Sequence, residues 1–227
     1  MSISLHKNVD LTSSGQAVRH RVLRNTYWLL ALSLIPTVLG AVAGLQFGVP
    51  VPTGFIGFIM FLGIAFGFMW AIEKNKDSGL GVALLLAFTF FMGLMLTPIL
   101  TRTLGFSNGG ELIAMAFGGT ATIMAVMATI ATTSKRDFGF LGQWLMAGVI
   151  VLILGFVAAM VFNLPGFSIA LSVMAVVIFS GFLLFDVQRV INGGETNYIS
   201  ATLSIYLSLF NIFSNLLALL GLGGSRE

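Results

Sequence analysis

The sequence predicts an all-α membrane protein, a polytopic bundle of seven transmembrane helices, and three observations lead to that class. Of the 227 residues, 57% are hydrophobic and only 8% are charged, whereas about a quarter of an average soluble domain is charged. The apolar residues form long continuous runs without strand-like alternation, which favours helices over a membrane β-barrel. The basic residues cluster in short segments between those runs, as they do in multi-pass membrane proteins.

Seven apolar runs approach the length of about 20 residues that a spanning helix needs. They cover residues 27–46, 54–72, 79–100, 111–132, 140–162, 167–185 and 199–222. Segments rich in Gly, Pro, Asn or charged residues separate most of them, at 49–52, 73–77, 107–110, 163–166 and 192–194. Such residues favour turns. Pro98 lies near the end of the third run, where we expect it to bend or end the helix.

The distribution of Lys and Arg predicts the orientation of the chain in the membrane. If all seven runs cross, the basic residues on one side are Lys7, Arg19, Arg21, Arg24, Lys74, Lys76, Lys135, Arg136 and Arg189. The other side has Arg102 and Arg226. The amino terminus is therefore expected in the cytoplasm and the carboxyl terminus in the periplasm. A re-entrant seventh segment would instead place both ends inside.

The chain divides into three predicted parts. Residues 1–26 form a flexible cytoplasmic tail, residues 27–222 the seven-helix membrane domain, and residues 223–227 a short carboxyl-terminal tail. The lipid bilayer is the expected environment of the membrane domain. The net charge of +3 does not indicate nucleic-acid binding, because the positive charges border apolar runs and form no phosphate-binding face.

The sequence shows no constellation typical of an enzyme. Both histidines, His6 and His20, lie in the predicted tail, so an intramembrane serine protease would lack its base. A His-Glu-x-x-His zinc motif and a phosphate-binding Gly-rich loop do not occur in the sequence. We therefore expect a protein that is not an enzyme and that has no cofactor or metal site.

The polar residues within the apolar runs are the candidate functional residues. Asp186 ends the sixth run and is followed by Arg189, at a spacing that allows an ion pair. In the seventh run a polar stripe shares one helix face: Ser204, Ser208, Asn211 and Asn215. This stripe must face other helices or water, either as interhelical hydrogen bonds or as the lining of a polar pathway. Gly40-x-x-x-Gly44 and Gly63-x-x-x-Gly67 permit close helix packing.

The carboxyl-terminal third resembles the Bax inhibitor-1 family. The resemblance rests on Phe185-Asp-Val-Gln-Arg-Val-Ile-Asn-Gly-Gly-Glu-Thr-Asn-Tyr-Ile199 and on Leu203-Ser-Ile-Tyr-Leu-Ser-Leu-Phe-Asn-Ile-Phe213. Leu23-Arg-Asn-Thr-Tyr27 and Gly118-Gly-Thr120 make the chain most similar to the bacterial YccA-like branch. We call residues 188–198 the motif loop. Its motif residues are Gln188, Gly193, Gly194, Glu195, Thr196, Asn197 and Tyr198.

The resemblance implies a fold and two alternative functions. The fold is a bundle of six helices around a central seventh. In the wider family, a pair of aspartates near the cytoplasmic mouth gates a pH-sensitive calcium leak, with Ca²⁺ as the permeant ion. The first aspartate falls on Asp186 but the second falls on Ser208, so the pair is incomplete unless Glu195 substitutes for it.

The YccA-like branch is associated instead with binding and restraining FtsH, the ATP-driven protease of the bacterial inner membrane. The resemblance therefore favours a modulator of that protease, located in the inner membrane. The alternative is a cation leak through Asp186 and the polar face of the last helix. The sequence leaves the oligomeric state open.

Overall fold

The fold is entirely helical in the part of the chain that the computed structural model describes, residues 2–51 and 54–223. Side chains are described for residues 19–51, 54–164 and 166–222. The helices are α1 (Ser2–Phe47), α2 (Gly54–Lys74), α3 (Gly79–Met95), α4 (Thr97–Leu104), α5 (Gly109–Thr133), α6 (Leu141–Val161), α7 (Pro165–Ile191) and α8 (Tyr198–Leu220). A 3-10 turn, Gly221–Gly223, follows α8. The predicted all-α fold is confirmed.

The helices provide six or seven membrane spans. Six are long and apolar enough to cross a bilayer individually, and α3 and α4 qualify together as a pair bent by 40°. The bend is at Leu96, and Pro98 lies in the first turn of α4. A proline is tolerated there because the first N–H groups of a helix have no intrahelical acceptor. The predicted bend near Pro98 is therefore confirmed.

The first helix begins upstream of the predicted first span, because α1 runs continuously from Ser2 to Phe47. Its Arg19–Phe47 part is long and apolar enough to cross a membrane. Within residues 19–26, Val22 and Thr26 are buried. The assignment of residues 1–26 to a flexible cytoplasmic tail remains a prediction. Most of the predicted carboxyl-terminal tail, residues 224–227, lies outside the described residues.

The last long helix lies at the centre of the bundle. Helix α8 packs against α1, α2, α3, α4, α5 and α7, while α6 packs mainly on α7. Five of the six other predicted spans therefore touch α8 directly. Its fully buried side chains include Ile205, Tyr206, Ile212 and Leu217. This arrangement agrees with a bundle built around a central seventh helix.

Helices α1 and α3 approach so closely that glycine is required in both. A Cβ atom on Gly93 would lie 2.0 Å from the carbonyl oxygen of Thr37, and one on Gly40 would lie 2.1 Å from that of Phe90. Gly63 and Gly67 of the second glycine pair are exposed, with nothing within 4 Å of their Cβ positions. Of the two predicted packing motifs, only the one containing Gly40 therefore packs within this chain.

This difference predicts opposite effects for the same substitution. Gly93→Ala should lower the stability by about 2 kcal/mol or more, because α1 and α3 must separate to admit the methyl group. Gly67→Ala should raise it by up to about 1 kcal/mol, since alanine is the better helix former and has free space there. Thermal unfolding of the purified proteins in one detergent measures both effects. Equal shifts for the two variants would contradict the packing described for Gly93.

Candidate functional site

The motif loop begins with a tight helix end that depends on glycine. The N–H of Asn192 donates to the carbonyl of Gln188 at 2.8 Å, and that of Gly194 donates to the carbonyl of Arg189 at 2.8 Å. Gly193 has φ of +77°, a left-handed conformation that favours glycine at a helix end. A Cβ there would also lie 2.8 Å from Nε of Arg19. The two glycines therefore end α7 and turn the chain toward α8.

Asn197 starts the last helix and joins it to the α2–α3 connection. Its Oδ1 accepts from the N–H groups of Ile199 at 2.9 Å and Ser200 at 3.2 Å. This is the N-cap role for which asparagine is well suited. Its Nδ2 donates to the carbonyl of Lys76 at 3.0 Å and to Oδ1 of Asp77 at 2.8 Å. One amide therefore fixes the start of α8 against a loop more than 100 residues away in sequence.

Two carboxylates take part in the same hydrogen-bond network. Oε1 of Glu195 accepts from the N–H of Asn197 at 2.9 Å, and Oε2 lies 3.3 Å from the Arg189 guanidinium. Glu73 accepts from the Ser200 hydroxyl at 2.8 Å and pairs with Lys76. The hydrogen bond that Lys76 donates to Glu73 raises the pKa of Lys76 above its usual value. Glu195 therefore links the end of α7 to the start of α8, and Glu73 links the end of α2 to the start of α8. We call these contacts ties between helix ends.

Gln188 holds the α5–α6 connection, residues 134–140, against α7. Its Nε2 donates to the carbonyl of Arg136 at 2.6 Å, and its Oε1 accepts from the N–H of Phe138 at 2.7 Å. The side chain is 4% exposed. A buried amide with both ends satisfied is favourable, whereas loss of either partner leaves a costly unpaired group. Gln188 therefore holds the α5–α6 connection against α7 through two hydrogen bonds, and we call this contact the clamp.

The remaining motif residues have different environments. Thr196 is exposed and Tyr198 is partly buried as the first residue of α8. The Tyr198 carbonyl accepts from the Thr202 hydroxyl at 2.6 Å. The structure thus brings the motif loop together with the α2–α3 and α5–α6 connections at one end of the bundle.

Comparison with known proteins identifies the family. The chain matches the family described as "Inhibitor of apoptosis-promoting Bax1" over residues 19–225. It belongs to the Bax inhibitor-1 family. It is 40% identical over 218 residues to "Modulator of FtsH protease YccA" of Escherichia coli K12, covering 96% of this chain and 95% of that protein.

Other relatives extend across several bacteria. A protein of Pseudomonas aeruginosa is 37% identical over 206 residues, covering 91% of each chain. A membrane protein of Vibrio cholerae is 36% identical over 211 residues, covering 92% of each chain. The family match over residues 19–225 includes the predicted membrane domain and the motif loop.

The polar stripe of α8 is satisfied largely by its own helix. Nδ2 of Asn211 donates to the carbonyl of Leu207 at 2.8 Å, and Nδ2 of Asn215 donates to that of Asn211 at 2.8 Å. Ser208 is 3% exposed, and Ser204 is partly buried. The stripe thus faces other helices, as expected, although its amide N–H groups bond within α8 instead of reaching across the interface.

Asp186 is the buried acidic residue of α7, at 8% exposure. Its carboxylate has no hydrogen bond to any residue within 19–51, 54–164 or 166–222, and its charged neighbours are Arg189 and Glu195. The expected ion pair from Arg189 is directed to Glu195 instead. No hydrogen bond in this described part of the chain joins Asp186 to Ser208, at the family's second aspartate position, or to Glu195. Their role in gating remains a prediction.

The sequence analysis did not identify two polar contacts of the site and the core. The first is Glu73, which joins α2 to the start of α8 through Ser200. The second is Thr37 in α1, whose hydroxyl lies 2.9 Å from the hydroxyl of Tyr206 at the bundle centre. The sequence does contain a signal for the contact of Tyr206, because a tyrosine hydroxyl in the middle of an apolar span needs a hydrogen-bond partner. No local pattern indicates which helix supplies that partner.

Gln188→Glu tests the clamp on the α5–α6 connection. The carboxylate cannot donate to the Arg136 carbonyl, so we expect a loss of about 1–3 kcal/mol in stability. Trypsin should also cleave faster after Lys135 and Arg136. Gln143→Glu makes the same chemical change at an exposed position and should leave both measurements unchanged. Equal cleavage of the two variants would contradict the clamp.

Two substitutions at Asn197 separate its two contacts. Asn197→Asp keeps the cap on α8 but loses the donor to Lys76 and places a second carboxylate beside Asp77. Asn197→Ala loses both contacts. We expect a cost of about 1 kcal/mol for the cap alone. Thermal unfolding should show a salt-dependent loss for Asn197→Asp and a salt-independent loss for Asn197→Ala, because only the former introduces like-charge repulsion. The same salt dependence in both would refute this assignment.

Proposed function

We propose that this protein binds the FtsH protease complex in the bacterial inner membrane and modulates its activity. The observation that carries the proposal is the 40% identity to an FtsH modulator over nearly the full length of both chains. A second strain of Escherichia coli has the relative named "Inner membrane protein YccA", with the same identity and coverage. That name supports the inner membrane as the location of this chain.

The chemistry of the bundle supports a role through contact. No group of three His, Asp or Glu side chains capable of holding a metal occurs in the described residues. Glu73 and Glu195 are engaged in ties between helix ends. By contrast, α1, α2 and α6 expose large apolar side chains along their lengths, including Ile56, Trp70 and Leu154. These surfaces suit lipid or another membrane protein.

The hydrogen bonds of the motif loop support the proposed orientation. Asn197 joins the α2–α3 connection to the start of α8, and Gln188 joins the α5–α6 connection to α7. Lys74, Lys135 and Arg189 therefore belong to one end of the bundle. A cytoplasmic position for this end follows from the positive-inside rule. With seven spans, the amino terminus is cytoplasmic and the carboxyl terminus periplasmic.

The cation-leak alternative gains no support from the polar stripe. The amide N–H groups of Asn211 and Asn215 donate to backbone carbonyls of their own helix, as polar side chains do in a closed, packed bundle. Asp186 forms no hydrogen bond with a second carboxylate within the described residues, although Glu195 is one of its charged neighbours. The contact-based function is therefore the better interpretation.

Overproduction of the full chain in bacteria that contain FtsH tests the proposal. We expect the chain to co-purify with FtsH from detergent-solubilised membranes. We also expect the half-life of a short-lived membrane substrate of the protease to increase. Deletion of residues 2–18 should reduce the effect on turnover if the amino-terminal segment is presented to the protease.

The control is an unrelated multi-pass membrane protein produced to the same level. It should neither co-purify with FtsH nor alter substrate half-life. The proposal would be wrong if the chain failed to co-purify and substrate half-life stayed the same with and without it.

A further inference from the structure

A groove of about 580 Å³ opens beside α1 at the end of the bundle that contains the motif loop. Its volume lies within the range of about 300–1,000 Å³ found for ligand sites. It is lined by α1, by Val82 in the first turn of α3, and by Tyr198 at the start of α8. The α1 lining residues are Arg24, Asn25, Trp28, Leu29 and Leu32. Apart from Tyr198, no residue that lines the groove takes part in the hydrogen bonds described for the motif loop.

The groove has a polar end with an unpaired positive charge. Arg24 is exposed and forms no salt bridge with any residue in the described part of the chain. Asn25 adds an amide, Tyr198 adds a hydroxyl, and none of the lining residues is acidic. This combination attracts an anion with several acceptor oxygens, such as a phosphodiester.

The other end of the groove is apolar. Leu29 forms a buried floor, while Leu32 and Val82 line the walls. Arg24 and Leu32 are eight positions apart, which corresponds to about 12 Å along a helix. That length covers the interfacial layer of a bilayer and the first part of its hydrocarbon. The polarity therefore changes along the groove in the same direction as it changes in a phospholipid.

Trp28 indicates the depth in the bilayer at which the groove changes from polar to apolar. It lies one turn after Arg24 and one turn before Leu32, and it is 72% exposed. Tryptophan is enriched at the boundary between headgroups and hydrocarbon. Arg24 is thereby placed at headgroup level and Leu32 within the acyl-chain region.

We propose that this groove binds one anionic phospholipid, with its phosphate against Arg24 and Asn25 and an acyl chain along Leu29, Leu32 and Val82. A soluble phosphate would use the polar end but leave the apolar part of the groove unfilled. A zwitterionic lipid would fill the apolar part but bring a positive choline group close to Arg24. An anionic lipid satisfies both ends.

Native mass spectrometry of the purified full chain tests the proposal. The probes are phosphatidylglycerol and phosphatidylcholine with identical acyl chains, and glycerol phosphate as the soluble headgroup. We expect the first phosphatidylglycerol to bind about five-fold more tightly than phosphatidylcholine, the factor that one interfacial Arg contributes to anionic-lipid binding. Glycerol phosphate should not compete at the same concentration.

Two charge variants locate the site. Arg24→Gln should abolish the preference for phosphatidylglycerol. Arg19→Gln removes the same charge from a position about 140° away around the axis of the same helix, at 3.6 residues per turn. This variant should keep the preference for phosphatidylglycerol. Val82→Trp should weaken binding of both lipids by filling the groove. If that variant does not fold, the two arginine variants decide the question.

Several results would overturn the proposal. Equal binding of the two lipids by the unmodified protein would exclude a specific anionic site. Equal losses in Arg24→Gln and Arg19→Gln would show a diffuse surface attraction instead of a groove. Competition by glycerol phosphate would identify the groove as a site for soluble anions.

Discussion

Hydrocarbon offers no hydrogen-bond partners, and this constraint determines where the chain places its polar side chains. Within the spans, hydroxyl and amide groups bond back to their own helix: Thr120 to the Ala116 carbonyl, Ser180 to that of Val176 and Asn211 to that of Leu207. Placing such side chains in hydrocarbon costs little free energy, because carbonyls of their own helix accept their hydrogen bonds. A polar face on α8 is therefore compatible with a closed, packed bundle and does not by itself indicate a pathway for ions.

Most of the long-range polar contacts lie instead at the helix ends, and the contact between Thr37 and Tyr206 at the bundle centre is an exception. Asn197 joins α8 to the α2–α3 connection, and Gln188 joins α7 to the α5–α6 connection. In place of water, Asn197 bonds three backbone groups and Gln188 bonds two. These two residues fix the ends of α7 and α8 relative to their neighbours, while close backbone contact at Gly40 and Gly93 fixes α1 against α3. Polar ties and glycine packing thus restrain different parts of the same bundle.

The sequence was sufficient to predict the helical class, the approximate spans and the bend near Pro98, because these depend on local composition and on the missing N–H of proline. It could not predict which glycine pair packs, since Gly40 and Gly63 occur in the same spacing and differ only in what lies opposite them. The sequence could not predict the ion-pair partner of Arg189 either. Asp186 is closer in sequence, but the turn at Gly193 brings Glu195 to the guanidinium. Tertiary geometry decides both cases.

The environment of Asp186 bears on how the chain acts. A pair of carboxylates that share a proton can convert a change of pH into helix movement, but the corresponding second position is occupied by Ser208. Glu195, the other candidate, is held by Arg189 and by the N–H of Asn197. Both of its carboxylate oxygens are therefore already engaged within the motif loop. These contacts hold the α7–α8 connection in place, which suits the proposed role of a bundle that presents a fixed surface to lipid and to a membrane protease.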